Sequence, residues 1–198
     1  MGDPQVSPKE RFTYRNYRTW PDEERWELID GQAWAMSPAP MTNHQEISAR
    51  LFNAIFDFLK GRKCRAFSAP FDVLLPRAAE LDDEVDTVVQ PDISVFCDIS
   101  KITKRGARGA PDLLVEILSP STSKKDLNDK FNLYQRHRVR EYWVVDPGNR
   151  AMQVWRLGDD GHFEMTALRD VLRDDSALAS SVLEGFLVDP KELFADLD

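Results

Sequence analysis

The sequence predicts an α/β domain with a central mixed β-sheet flanked by helices, and with a β-hairpin and a helix on its N-terminal side. Three observations predict it. First, Leu113–Leu118 is an apolar run with one charge in its middle, Glu116. Alternate side chains of a strand point to opposite faces. Leu113, Val115 and Ile117 therefore take one face, and Leu114, Glu116 and Leu118 the other. Both faces are apolar apart from Glu116, so the strand is covered on both sides. Second, Glu141–Asp146 (EYWVVD) reads as another buried strand, ended by Pro147-Gly148. Third, Trp26–Ile29 and Gln32–Met36 flank Asp30-Gly31, a dipeptide that between two short apolar runs signals a hairpin. The 198 residues suit one domain, taken as 19–198 behind a polar segment, 1–18, against which Phe12, Tyr14 and Tyr17 can dock.

The remaining elements follow in chain order. Ser37-Pro38-Ala39-Pro40 ends the hairpin. Thr42 or Asn43 caps a helix that runs to about Lys60 and stops at Gly61, with Ile47, Leu51, Ile55 and Phe58 as its core stripe. Phe67–Leu75 reads as a strand interrupted at Pro70, and Val88–Asp98 as a strand containing Asp92. An acidic loop separates them, and a basic loop, Lys101–Gly109, follows. Ser123 with Asp126 three positions on opens the helix after Leu118. Met152–Leu157 and His162–Leu168 pair as a hairpin across Gly158–Gly161. Leu183–Val188 forms a last strand, and Asp189-Pro190 opens a short helix.

Hydrophobic residues make up 42% of the chain and charged residues 30%, as in ordinary globular proteins. No apolar run approaches the ~18 residues of a membrane span, and the first residues lack the apolar centre of a secretory signal. Cys64 and Cys97 form neither a disulfide framework nor a metal motif, and Cys97 reads as a buried small hydrophobe. A reducing, cytoplasmic location is expected. The net charge is −8, yet residues 101–140 hold ten Lys or Arg against four Asp or Glu, a balance of +6 that leaves −14 elsewhere. Such asymmetry marks either a basic face for an anionic partner or a solvated surface.

Glu116 raises the sharpest question. A carboxylate on a buried strand face costs several kcal/mol unless something positive meets it. A metal ion, a distant Arg or Lys, or a raised pKa has to do so. Asp92 lies in a neighbouring strand, and two close carboxylates favour a divalent cation; as an alternative, Asp92 is only a strand-start residue. Lys130 falls on the inward arc of its helix with Leu127 and Leu133, although Asp126 and Lys130 also match an i,i+4 surface pair. His44 begins a helix, as capping residue or as ligand, and Glu27 points to one face of the hairpin. His137 and His162 have no partners at ligand spacing. There is no Gly-rich phosphate loop, Cys-His zinc set or G-x-S-x-G elbow.

WELIDGQ, His44, QPDISVFCD, PDLLVEILSPST, the Asp126-to-Lys130 spacing and EYWVVDP together resemble the Uma-two family. Those are bacterial proteins placed among the restriction-endonuclease-like nucleases of the PD-(D/E)XK superfamily. The resemblance runs from about Trp26 to the C-terminal helix. It implies a restriction-endonuclease-like sheet, Asp92 and Glu116 as Mg²⁺ (or Mn²⁺) ligands, and Glu27, His44 and Asp126 as accessory residues. The superfamily lysine would stand two residues after the acid, where this chain has Leu118, and Lys130 on the following helix is the replacement the family suggests. The expected activity is metal-dependent hydrolysis of DNA phosphodiesters. Asp92 and Glu116 would hold the metal, and Lys130 would stabilise developing charge. Lys101, Lys104, Arg105, Arg108, Lys124 and Lys125 would contact the phosphate backbone. The alternatives are a catalytically inactive nucleic-acid- or protein-binding module on the same fold, or buried acids that are purely structural. Exposed hairpin edges and five tryptophans are compatible with a homodimer.

Overall fold

The structure, a computed structural model, describes residues 11–21, 24–36, 41–119, 126–174 and 176–197, with the side chains of Asp126 and Leu127 outside that set. The expected α/β class is found, with the strands divided between two six-stranded sheets and a small two-stranded one. Strands β1 (Trp26–Ile29), β2 (Gln32–Ala35), β4 (Val73–Leu74), β5 (Val88–Val89), β7 (Ile102–Thr103) and β8 (Gly106–Arg108) build the first sheet, in the order β2-β1-β5-β4-β8-β7. Strands β3 (Arg65–Ser68), β6 (Ile93–Phe96), β9 (Leu113–Ile117), β10 (Glu141–Asp146), β11 (Ala151–Leu157) and β12 (Phe163–Asp170) build the second, in the order β12-β11-β10-β9-β6-β3. The third sheet pairs β13 (Leu178–Ala179) with β14 (Leu187–Val188).

Two prolines explain the division. Val88–Asp98 is not one strand. Gln90 and Pro91 break it into β5 and β6, which belong to different sheets. Proline has no N–H to give a ladder, so a central strand stops there. Ala69-Pro70 likewise separates β3 from β4. The hairpin β1–β2 forms as expected, with Asp30 and Gly31 both at positive φ (49° and 77°), as a type I′ turn requires. The basic segment expected as a loop is instead the hairpin β7–β8. Gly106 sits there at φ +145°, and a Cβ would lie 2.2 Å from the Asp72 carbonyl oxygen. No larger residue fits this approach without backbone movement. The last expected strand is limited to Leu187–Val188.

Among the described residues, four helices cover the sheets. The first, α1 (Tyr14–Tyr17), rests with Tyr14 against Leu28, Leu74, Val85 and Val88. Helix α2 (Thr42–Leu59) buries Ile47, Leu51, Ile55 and Leu59, with Leu59 in place of the expected Phe58. Its capping position is Met41, without a side-chain cap, so Thr42 is already helical. A π-helical turn, Asp126–Lys130, runs into α3 (Phe131–Arg136), and α4 (Pro190–Leu193) is capped by the Asp189 side chain. Ser123, expected to open the helix, lies outside the described residues.

The alternation read in β9 is observed. Leu113, Val115 and Ile117 join the core under α2, with Ile93, Val95, Trp143 and Val145. Leu114 and Leu118 join the core between the two large sheets, with Val73, Val89, Leu133, Tyr134 and Tyr142. Glu116 faces that second core.

Cys64 and Cys97 correct the sequence reading. They form a disulfide, with Cα atoms 4.0 Å apart, and both are half-buried. The reason is register. Strands β3 and β6 pair antiparallel with Arg65 opposite Phe96, so one further step sets Cys64 opposite Cys97. A separation of 33 residues hid this pairing. Among the described residues no helix is long and apolar enough to cross a membrane. Thiol titration of the denatured chain, prepared without reductant, is expected to find no free thiol. Replacing both cysteines by serine is expected to cost about 2–4 kcal/mol in a denaturant melt.

Candidate active site

The site is built where the two large sheets approach each other. Glu27 projects from β1, Glu116 from β9, and Lys130 from the π-helical turn before α3. All three are buried, at 2%, 3% and 3% exposure. Lys130 Nζ lies 2.9 Å from Glu27 Oε1 and 2.9 Å from Glu116 Oε1. Tyr134, one helical turn beyond Lys130, donates its hydroxyl to Glu116 Oε1 at 2.6 Å. The Gln90 backbone N–H donates to Glu27 Oε1 at 3.1 Å. Burial and the neighbouring Glu116 hold the Tyr134 phenol well above its ordinary pKa, so it remains a neutral donor. The charge that meets Glu116 is thus a lysine 14 residues away, shared with a second acid.

Asp92 stands at the edge of this group, between β5 and β6. The β6–β9 ladder pairs Ile93 with Val115 and Ser94 with Leu114, so one further step sets Asp92 opposite Glu116. The Asp92 carboxylate accepts the Ile117 N–H at 2.7 Å, and its backbone carbonyl accepts the Ala69 N–H at 3.0 Å. His44, in the first turn of α2, places Nε2 3.3 Å from Asp92 Oδ2. An open cavity of about 420 Å³ reaches Asp92 and His44 past Arg25 and Ser68.

The turn of the first hairpin fixes α3. Asp30 accepts from Arg77 at 2.5 Å and from Arg136, at the end of α3, at 2.6 Å. Although burial pulls the other way, these guanidinium groups hold its carboxyl below the ordinary value. The strand that carries Glu27 is thereby tied to the helix that follows Lys130.

Asp92, Glu116, Lys130, Glu27 and His44 are therefore brought together. Lys124 and Lys125, and the Asp126 side chain, lie outside the described residues. The basic residues of β7–β8 divide. Lys101 donates to the Ala110 carbonyl at 2.8 Å, and Arg108 binds the Glu80 carbonyl and pairs with Asp82 at 3.1 Å. Lys104 and Arg105 are exposed at the turn. His137 is half-buried and far from a surface imidazole in behaviour. Burial, with help from Arg136, lowers its pKa to about 4. Tyr134 and Gln90 were not singled out by sequence; the i,i+4 spacing of Tyr134 from Lys130 was the available signal.

Among the described residues no group of three or more His, Cys, Asp or Glu is placed to hold a metal ion. Asp92 and Glu116 still fit Mg²⁺, which binds through one or two carboxylates and keeps several waters. Hard oxygen donors set opposite each other on one ladder are the chemistry that cation requires.

Three comparisons bear on this arrangement. A family model described as "Uma2: Putative restriction endonuclease" matches residues 14–191. An uncharacterized protein of Synechocystis sp. is 29% identical over 161 residues, covering 80% of this chain and 77% of that protein. The crystal structure of a putative nuclease belonging to DUF820 from Anabaena variabilis superposes with a TM-score of 0.72 at 25% identity, covering 92% of this chain and 97% of that one.

Removing one member of a buried charge group leaves the others unpaired, at a cost of about 3–5 kcal/mol. Lys130→Met is expected to lose that much in urea denaturation. Adding Glu27→Gln and Glu116→Gln to Lys130→Met is expected to restore part of it. A loss below about 1 kcal/mol in the single variant would contradict the shared ion pair.

Proposed function

Because the chain belongs to the Uma2 family, we propose that it is a metal-dependent nuclease that hydrolyses DNA phosphodiester bonds at the Asp92–Glu116 site. One observation carries this reading. Glu116 of β9 is paired with Lys130 and stands one ladder step from Asp92, which lines an open cavity, although the superfamily's lysine position is filled by the buried Leu118.

Asp92 and Glu116 would hold Mg²⁺ or Mn²⁺. When bound, the cation would supply Lewis acidity toward the scissile phosphate and lower the pKa of a coordinated water. The Ile117 N–H keeps the Asp92 carboxylate turned toward β9. Lys130 and Tyr134 fix the Glu116 carboxylate from behind, and the ammonium offsets negative charge that develops beside it. Glu27 holds Lys130 in that position from the other sheet. His44, less buried than Glu27, Glu116 and Lys130, would move a proton at the mouth of the site. Lys104 and Arg105, both exposed, would contact phosphates, with affinity that falls as salt rises.

The test uses purified protein with Mg²⁺ or Mn²⁺ and a panel of single-stranded DNA, duplex DNA and RNA. Cleavage in the wild type is expected to stop with chelator and to fall at least about a hundredfold in Glu116→Ala. Undiminished cleavage by Glu116→Ala would sink the proposal. Salt-sensitive DNA binding that persists in chelator, with no cleavage under any condition, would instead identify a binding module without catalysis.

A further inference from the structure

A broad cavity lies beside the acid group, not on it. It holds about 690 Å³. Its wall is aromatic: Tyr17, Trp20 and Trp26 form a chain of ring contacts, with centroids 5.4 Å and 5.6 Å apart. Trp20 and Trp26 are only half-buried. Phe12 supports Trp20 from outside the cavity at 5.4 Å, ring edge to face. Three arginines, Arg18, Arg25 and Arg105, also reach the cavity. An aromatic wall beside several guanidinium groups suits a flat π-system linked to an anion.

The polar floor is held in a fixed pattern. Asp72 Oδ1 accepts from the Tyr17 hydroxyl and from Gln90 Nε2, both at 2.9 Å. Arg25 clamps Gln90 Oε1 through two nitrogens, at 2.9 Å and 3.2 Å. Burial and the Asp72 charge keep the Tyr17 phenol protonated.

The cavity is also coupled to the acid group by its position. Gln90 gives its side chain to this floor and its backbone N–H to Glu27. Arg25 lines both this cavity and the one that reaches Asp92 and His44. A phosphate at Asp92 and a base in the aromatic cavity would be neighbours on one strand.

We propose that this cavity is a subsite for an unpaired nucleobase, so that the substrate is nucleic acid with a single-stranded nucleotide adjacent to the scissile phosphate. The proposal rests on the nuclease reading for the word substrate, but its binding step does not. A stacked base inside a duplex has both faces covered by its neighbours and cannot enter such a wall. A single strand can, and stacking tolerates any base.

The test separates binding from cleavage by working in chelator. Short single-stranded DNA, a duplex of the same length, and single-stranded DNA with one abasic position moved along it are each titrated against the full chain, with tryptophan fluorescence as readout. Single strands are expected to bind at least about tenfold more tightly than duplex, and an abasic residue at one position to lose about tenfold while the others do not. Trp20→Ala is expected to remove the preference and Trp20→Phe to keep most of it, both checked by thermal melts. Should Trp20→Ala not fold, the abasic scan with wild-type protein decides alone. Equal affinity for single strand and duplex, or no sensitive position in the scan, overturns the subsite. Selective binding without cleavage in Mg²⁺ would leave the subsite standing and sink the nuclease reading; cleavage without strand preference would do the reverse.

Discussion

The ion pair of Lys130 with Glu27 and Glu116 is the interaction on which the rest depends. Glu27 belongs to the first large sheet and Glu116 to the second. Lys130 closes the gap between them from the turn that leads into α3. Buried charges are expensive to desolvate, and their attraction repays that cost only with good geometry and further hydrogen bonds. Tyr134 and the Gln90 N–H supply those bonds. Apolar residues of similar volume are often as stable as such a group, so stability alone does not explain it.

Much of this was legible in the sequence, for local reasons. The alternation of Leu113–Leu118 assigned both faces of β9, because a period of two needs no knowledge of neighbours. Asp30-Gly31 announced its hairpin because few residue pairs tolerate two positive φ angles. Helical periodicity turned Lys130 inward. What stayed hidden is what depends on register between distant segments. The Cys64–Cys97 pair needs the β3–β6 alignment. The meeting of Glu27 with Lys130 needs the two sheets to be placed against each other. Val88–Asp98 looked continuous because apolar residues continue on both sides of Pro91, and only the sheet assignment shows where the chain crosses.

The position of Lys130 follows from the same geometry. A lysine at position 118 would sit in the core between the sheets, where Leu118 now packs with Leu114, Leu133 and Val139. The helix offers another approach to the same carboxylate, and Lys130 reaches Glu116 from it at 2.9 Å. Contact with Glu27 comes with that approach, which links the hairpin sheet to the acid group. Gln90, in the segment that crosses between the sheets, then joins Glu27 to the polar floor of the aromatic cavity. The segment that crosses between the sheets thus brings the aromatic cavity and the acid group to one place.

We propose Asp92 and Glu116 as a cation site that Lys130 holds in place, rather than as acids kept only for structure. Calorimetric titration of Mn²⁺ into the wild type and into the Asp92→Ala, Glu116→Ala double variant tests it most directly. Saturable binding is expected in the wild type and is expected to be lost in the double variant. Equal heats from the two proteins, or none from the wild type, would contradict it and leave the buried charges as a structural device.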